Sequence, residues 1–336
     1  MLKLYKIIFF NSMILGTIIA ISSYTWLGMW MGLEINLLSI IPLLNSYKNM
    51  LSSEASLKYF ITQTMASLIL LLSIILMLIS TEFITPMMNN TLETLLNSAL
   101  LTKLGAAPFH YWFPEVMEGL NWFNCSILLT WQKIAPMALI MNNYTQTIFM
   151  VVIILLSLMI STLMSFNQIS LRKIMAFSSI NHIAWMISAM ISSIPIWFIY
   201  FSIYSIITLN ITFIFNYSKL FFTNQIPLFL ENFKSLKLSL MINFLSLGGL
   251  PPFLGFMPKW FTINWMILHN FFIIALCLIM FTLILLFVYT RIILSALIIQ
   301  YSGSKTSVPS IPSFSMFMIN FITISSLIGC TLSFNF

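Results

Sequence analysis

The stretch Gly249-Leu-Pro-Pro252-Phe-Leu-Gly-Phe-Met-Pro258-Lys259 decides the fold of this chain, because it occurs twice. Gly105-Ala-Ala-Pro108-Phe-His-Tyr-Trp-Phe-Pro114-Glu115 repeats its glycine and spaced prolines 144 residues earlier. Both copies lie in apolar surroundings. Proline has no amide hydrogen and its ring clashes with the preceding turn, so each copy has to interrupt a helix. Lipid cannot satisfy the backbone groups freed at such a break, which is tolerated only where it is buried in protein or lines a wet cavity. A matched pair of breaks in the two halves of a chain points to a transport site.

Composition agrees on the solvent. With 60% hydrophobic residues, 6% charged residues and a mean hydropathy of +1.03, the 336 residues cannot assemble a water-facing surface. The chain reads as an all-α polytopic membrane protein. Runs of about 20 apolar residues each span a bilayer. By that ruler there are eleven segments, near 6–23, 24–44, 56–80, 92–119 (broken), 122–141, 147–166, 171–190, 194–220, 237–268 (broken), 270–299 and 312–334. Lys3 and Lys6 ahead of an apolar run resemble a signal peptide, but no small-residue cleavage site follows before Trp26, so the first segment is expected to be a permanent helix.

Charge tests the count. With eleven spans, Lys3, Lys6, Lys48, Lys58, Arg172, Lys173, Lys219, Lys234, Lys237, Arg291 and Lys305 all fall on one face and none on the other. Cytoplasmic or matrix loops carry the excess of basic residues, so this face is the cytoplasm-equivalent one and holds the N-terminus, with the C-terminus opposite. The net charge of +7 is accounted for by this asymmetry; no basic stripe with interleaved aromatics remains, and no nucleic-acid partner is expected.

Three lysines escape the rule: Lys103 in the fourth span, Lys133 in the fifth and Lys259 in the ninth, with Glu34 in the second span beside them. An ionisable side chain near the bilayer centre costs roughly 2.5–3.5 kcal/mol on insertion scales, so these residues need a compensating role. Lys133 lies mid-segment with apolar residues on both sides, where snorkelling to the headgroups is a poor account. Glu34 is expected to pair with one of the lysines. Burial and a movable acidic partner act on an amine in opposite directions, so such a set can exchange protons near neutral pH. A relay through Glu34, Lys103, Lys133, His182 and Lys259 is therefore expected, with a purely structural ion pair as the alternative.

Five spans separate the two breaks, an odd displacement, so the broken helices enter the membrane from opposite faces. Residues 1–145 would then form one five-helix repeat and 146–299 its inverted copy, followed by a C-terminal loop and last helix over 300–336. The charges are not copied. Glu115 corresponds to Lys259, Lys103 to Leu247 and Lys133 to Cys277, so each half is expected to form a different half-path.

Other residues have plainer readings. Three scattered histidines make no metal site, and His269 reads as solvated. Cys125, Cys277 and Cys330 are far apart in apolar segments and read as small hydrophobes; no cluster, haem, zinc, Walker or complete dinucleotide signature occurs, so no cofactor is expected on this chain. Glu54 and Lys58 are spaced for an ordinary surface pair on one helix face, and Glu115 and Glu118 for contact with a lysine or a neighbouring subunit.

Six stretches carry a resemblance: Trp30-Met-Gly-Leu-Glu34-Ile-Asn-Leu-Leu-Ser, Glu54-Ala-Ser-Leu-Lys58-Tyr-Phe, Leu101-Thr-Lys103-Leu-Gly-Ala-Ala-Pro108-Phe-His110, Trp131-Gln-Lys133-Ile-Ala-Pro136, Leu171-Arg-Lys-Ile-Met-Ala-Phe-Ser-Ser-Ile-Asn-His182 and Gly248-Gly-Leu-Pro-Pro-Phe-Leu-Gly-Phe-Met-Pro-Lys259-Trp. Over roughly residues 24–268 the chain resembles the subunit 2 family of mitochondrial NADH:ubiquinone oxidoreductase, respiratory complex I, in its insect wording. The resemblance implies an antiporter-like, proton-translocating subunit of the mitochondrial inner membrane, N-terminus in the matrix and C-terminus in the intermembrane space. It implies Glu34 and Lys103 as the coupled pair, Lys133 as the central relay and Lys259 on the second broken helix. Bacterial relatives carry three more N-terminal helices, and this chain is expected to begin directly at the repeat unit. NADH, FMN, iron–sulfur clusters and ubiquinone would be handled by other subunits. Expected partners are the other membrane-arm subunits, including antiporter-like subunit 4 and subunit 4L, accessory subunits, and a phospholipid such as cardiolipin. A stand-alone cation/proton antiporter and a structural scaffold are the remaining alternatives.

Overall fold

A computed structural model describes residues 4–46, 49–80, 86–143, 147–230 and 234–298, together with 321, 324 and 325. Its elements are α1 (Leu4–Ser22), α2 (Trp26–Leu44), α3 (Met50–Ser80), α4 (Pro86–Leu104), α5 (Trp112–Gly119), α6 (Trp122–Leu129), α7 (Trp131–Asn142), α8 (Thr147–Ser165), α9 (Leu171–Ser192), α10 (Ile194–Ser218), α11 (Gln225–Leu230), α12 (Lys234–Gly248), α13 (Phe256–Leu268) and α14 (Phe272–Ile298). Among the described residues there is no strand beyond an isolated bridge between Ser170 and Phe222. The fold is all-α and polytopic.

Seven of these helices are long and apolar enough to cross a membrane unbroken: α1, α2, α3, α8, α9, α10 and α14. They coincide with seven of the expected spans. The fourth and ninth expected spans each consist of two pieces, α4 with α5 and α12 with α13, parted at the proline stretches. A further interruption falls at Thr130, between α6 and α7, where a continuous fifth span was expected. There the Thr130 hydroxyl donates back to the Ser126 carbonyl at 2.7 Å, a bond that bends helices, and Pro136 withholds a donor six residues on. The eleventh expected span, Cys330 and the basic residues Lys3, Lys48 and Lys305 lie outside the described residues.

Many serine and threonine hydroxyls inside the helices are satisfied within their own helix. Ser39, Ser73, Ser161, Ser178 and Thr208 each donate to a carbonyl three or four residues earlier, so none costs an orphaned donor. This local satisfaction is why a chain with many Ser and Thr can still be helical in lipid.

Contacts divide the chain into two compact units, Met1–Leu156 and Ser157–Phe336. In the first, α1 and α2 pack as a hairpin at near-backbone contact: a Cβ built on Gly32 would stand 2.5 Å from the Ala20 nitrogen, and one on Gly16 would stand 2.7 Å from the Asn36 nitrogen. Small residues at the crossing are the usual means of close packing where lipid offers no hydrophobic drive. α3 packs against α2, α4 and α5, and α4 against α7. In the second unit α9 is buried almost all round, with α10, α13 and α14 among its neighbours. Gly255, just before α13, lies so close to α12 that a Cβ would overlap the Ser246 carbonyl.

Replacing Gly32 with Val forces α1 and α2 apart, an overpacking cost of about 1–3 kcal/mol. The steady-state level of the assembled protein on native gels is expected to fall severalfold, whereas Leu38→Val, on the exposed face of the same helix, leaves it unchanged.

Candidate functional site

At a helix break, the last carbonyls of the first piece lose their intrahelical donors and must be paired some other way. Both breaks begin alike. Gly105 and Gly249 hold φ of +74° and +76°, the left-handed conformation that favours glycine. Each turns the chain so that two amides fold back: Gly105 N to Thr102 O (3.2 Å) and Ala106 N to Leu101 O (3.1 Å), then Gly249 N to Ser246 O (3.0 Å) and Leu250 N to Leu245 O (3.3 Å). This is a Schellman cap. The peptide bonds preceding Pro108 and Pro252 are both cis.

Beyond the cap the copies differ. In the second unit the Lys259 ammonium, 7% exposed, donates to the Leu247 and Gly248 carbonyls at 3.1 and 3.0 Å, the two oxygens the Schellman turn leaves over. A cation at the negative end of α12 is favoured by the helix dipole. In the first unit Trp112 Nε1 adds a bond to the Thr102 carbonyl at 3.1 Å, and Glu115, at the position of Lys259, points outward to Lys58 at 2.9 Å. Lys58 also reaches Glu54 at 3.1 Å, so the expected surface pair is a three-member cluster, exposed on every side.

The first unit gathers Glu34, Lys103 and Lys133. Lys103 ends α4 and is 8% exposed; Lys133, in the first turn of α7, is 1% exposed with its Nζ 5.9 Å from the centre of the Phe113 ring on α5. Glu34 acts on the Lys103 charge electrostatically, but among the described residues no direct ion pair joins them, and Glu34 Oε1 is buried without a hydrogen-bond partner. α2 and α7 are joined instead by a reciprocal amide pair that the sequence motifs contained without a role: Asn36 Nδ2 donates to Gln132 Oε1 at 2.9 Å and Gln132 Nε2 to Asn36 Oδ1 at 3.0 Å. Asn36 lies two residues after Glu34 and Gln132 one before Lys133, so the pair ties the helix that carries Glu34 to the one that carries Lys133.

In the second unit His182 Nδ1 shares a 2.9 Å hydrogen bond with the Tyr200 hydroxyl, and its ring lies 5.0 Å from that of Tyr204. Tyr200 stacks on Trp185 at 6.4 Å, and Lys259 Nζ lies 5.5 Å from the Trp185 ring centre. One aromatic group therefore touches both of the expected relay residues of this unit. Tyr200 and Trp185 carried no periodic signal to mark them. His110 is buried with Nδ1 unpaired, and His269 packs on Trp265 with ring centres 3.9 Å apart. Among the described residues no cluster of His, Cys or Glu could hold a metal.

Apolar spans broken at paired prolines, with buried lysines at or beside the breaks, make up an antiporter-type membrane subunit. A family model described as "NADH:quinone oxidoreductase/Mrp antiporter, TM" matches residues 23–286, and the chain belongs to that family. It is 48% identical to "NADH-ubiquinone oxidoreductase chain 2" of Anopheles gambiae over 98% of this chain and 97% of that one, and 49% identical to the Aedes aegypti protein of the same name over 99% and 98%. Its fold matches a chain of respiratory complex I from Thermus thermophilus with a TM-score of 0.90, at 20% identity, over 98% of this chain and 79% of that chain.

Asn36→Leu alone strands the inner amide atoms of Gln132, a cost of about 1–3 kcal/mol, whereas removing both partners spares that penalty. Thermal denaturation of the assembled complex is expected to rank Asn36→Leu below the double variant Asn36→Leu with Gln132→Leu; equal or additive losses would count against the pair.

Proposed function

We propose that this chain is a proton-translocating membrane-arm subunit of respiratory complex I in the mitochondrial inner membrane, coupled to NADH oxidation and ubiquinone reduction carried out in other subunits. Carrying this reading is the burial of Lys103, Lys133 and Lys259, each at or next to a helix interruption. Buried lysines that lipid penalises have to be held by local polar structure, and such residues mark ion and proton routes. Family membership and the names of the insect relatives support the assignment to complex I.

The relay residues are Glu34, Lys103 and Lys133 in the first unit, and His182 and Lys259 in the second. A charge or shape change arriving from a neighbouring subunit acts first on Glu34 and Lys103, which among the described residues form no direct ion pair, and alters the proton affinity of the next amine. Pro108, Pro114, Pro252 and Pro258 supply the breaks. In this reading the chain itself binds no redox group, and NADH, FMN, iron–sulfur clusters and ubiquinone are handled by other subunits. In this reading the two five-helix repeats are 1–145 and 146–299, and the one-sided distribution of Lys and Arg puts the N-terminus in the matrix and the C-terminus in the intermembrane space. Neighbours are subunits 4 and 4L, accessory subunits and a phospholipid such as cardiolipin.

Lys133→Met tests the reading. In sealed inner-membrane vesicles, NADH-driven proton translocation is expected to fall severalfold while native gels show a fully assembled complex. Undiminished pumping would remove Lys133 from the path, and loss of assembly with normal pumping in the surviving complexes would favour a scaffold.

A further inference from the structure

Within the first unit, Tyr59, Gln63 and Lys103 line one small cavity together with Asn36, Gln132, Leu33, Leu37 and Pro136. Among the described residues, neither the Tyr59 hydroxyl nor the Lys103 ammonium makes a hydrogen bond, and Gln63 Nε2 is buried with no partner. Tyr59 and Gln63 are each 4% exposed. Buried polar groups ordinarily find a partner in protein or in ordered water, and here three polar side chains face one space. They are also placed on purpose by the backbone. Tyr59 and Gln63 stand one turn apart on α3, the Tyr59 ring meets Trp112 edge-on at 5.7 Å, and Trp112 is itself tied to the Thr102 carbonyl beside Lys103.

The cavity holds about 20 Å³ of space for the centre of a water molecule. A water needs room for about one probe sphere, roughly 10–15 Å³ of occupied volume, and two to four polar partners, so this cavity has room for water. Asn36 and Gln132 spend one donor and one acceptor each on one another, and each amide keeps a second N–H and a second lone pair for the cavity.

We infer that this cavity is a built site for water, held by Tyr59, Gln63 and Lys103, and that Tyr59 and Gln63 are positioning residues that keep Lys103 solvated. The functional half of the inference rests on the reading of Lys103 as part of the proton path. An ammonium at this depth needs an acceptor, and the water supplies one where the protein does not. The proton affinity of Lys103 then depends on Gln63, which never changes charge itself.

A density map of the intact complex with waters resolved is expected to show one peak within about 2.7–3.2 Å of Lys103 Nζ. Gln63→Leu is expected to abolish the peak and lower protons pumped per electron severalfold with assembly intact; Tyr59→Phe, which loses a single bond, should have a smaller effect in the same direction. A dry cavity in the native complex overturns the inference, as does a Gln63→Leu complex that pumps normally. Should Gln63→Leu fail to assemble, the native map decides alone. The Lys133→Met result separates the two readings: normal pumping there with the water peak present removes the proton path and leaves the water site standing, while lost pumping with a dry cavity does the reverse.

Discussion

Every backbone carbonyl and amide in a lipid-embedded chain has to find its partner inside the protein, and the rest of this structure follows from that demand. Unbroken helices meet it automatically. At Gly105 and Gly249 the chain gives up that automatic satisfaction, and the left-handed glycine recovers two carbonyls at each break by folding two amides back. What is left over has to be met by side chains. In the second unit the remaining oxygens of Leu247 and Gly248 take the Lys259 ammonium, so a lysine that hydropathy treats as a penalty is the completing piece of a helix end. In the first unit the indole of Trp112 adds to the cap, and the position matching Lys259 is free to carry Glu115 to the outside.

That difference between the copies gives each half its own chemistry. The second unit couples its lysine to an aromatic group, Trp185 and Tyr200, that reaches His182. Polar but uncharged groups surround Lys103 in the first unit, where Asn36 and Gln132 lock α2 to α7 and the cavity lies alongside. Amides are suited to this work: they hold position by reciprocal bonds, cost nothing in charge burial, and keep spare donors and acceptors. Among the described residues, Glu34 Oε1 has no hydrogen-bond partner.

Much of the fold was legible in the chain itself. Seven helices fall where apolar length placed them, and the two proline stretches part α4 from α5 and α12 from α13 as proline's missing donor requires. The interruption at Thr130 was not foreseen, because its signal is a hydroxyl back-bond and a proline six residues on rather than a proline at the break. At the candidate sites, Lys103, Lys133 and Lys259 stood out as charges that orientation could not explain, and all three are buried. Tyr59, Gln63, Tyr200 and Trp185 did not stand out, since a lone polar or aromatic residue in an apolar run has no periodic signature. Asn36 and Gln132 sat inside recognisable motifs, yet nothing local says that residues 96 positions apart share two hydrogen bonds.

By itself the sequence determined that this chain is a bundle of membrane helices, where two of them must break, and which charges lie too deep to be solvated by water outside. These are consequences of composition and of backbone chemistry, which act residue by residue along the chain. Only the tertiary structure decided what meets those charges: that Lys259 closes a helix end, that Lys133 faces the Phe113 ring, and that Lys103 shares its space with Tyr59 and Gln63. Partnership of that kind depends on distances between segments remote in sequence, which no reading along the chain contains.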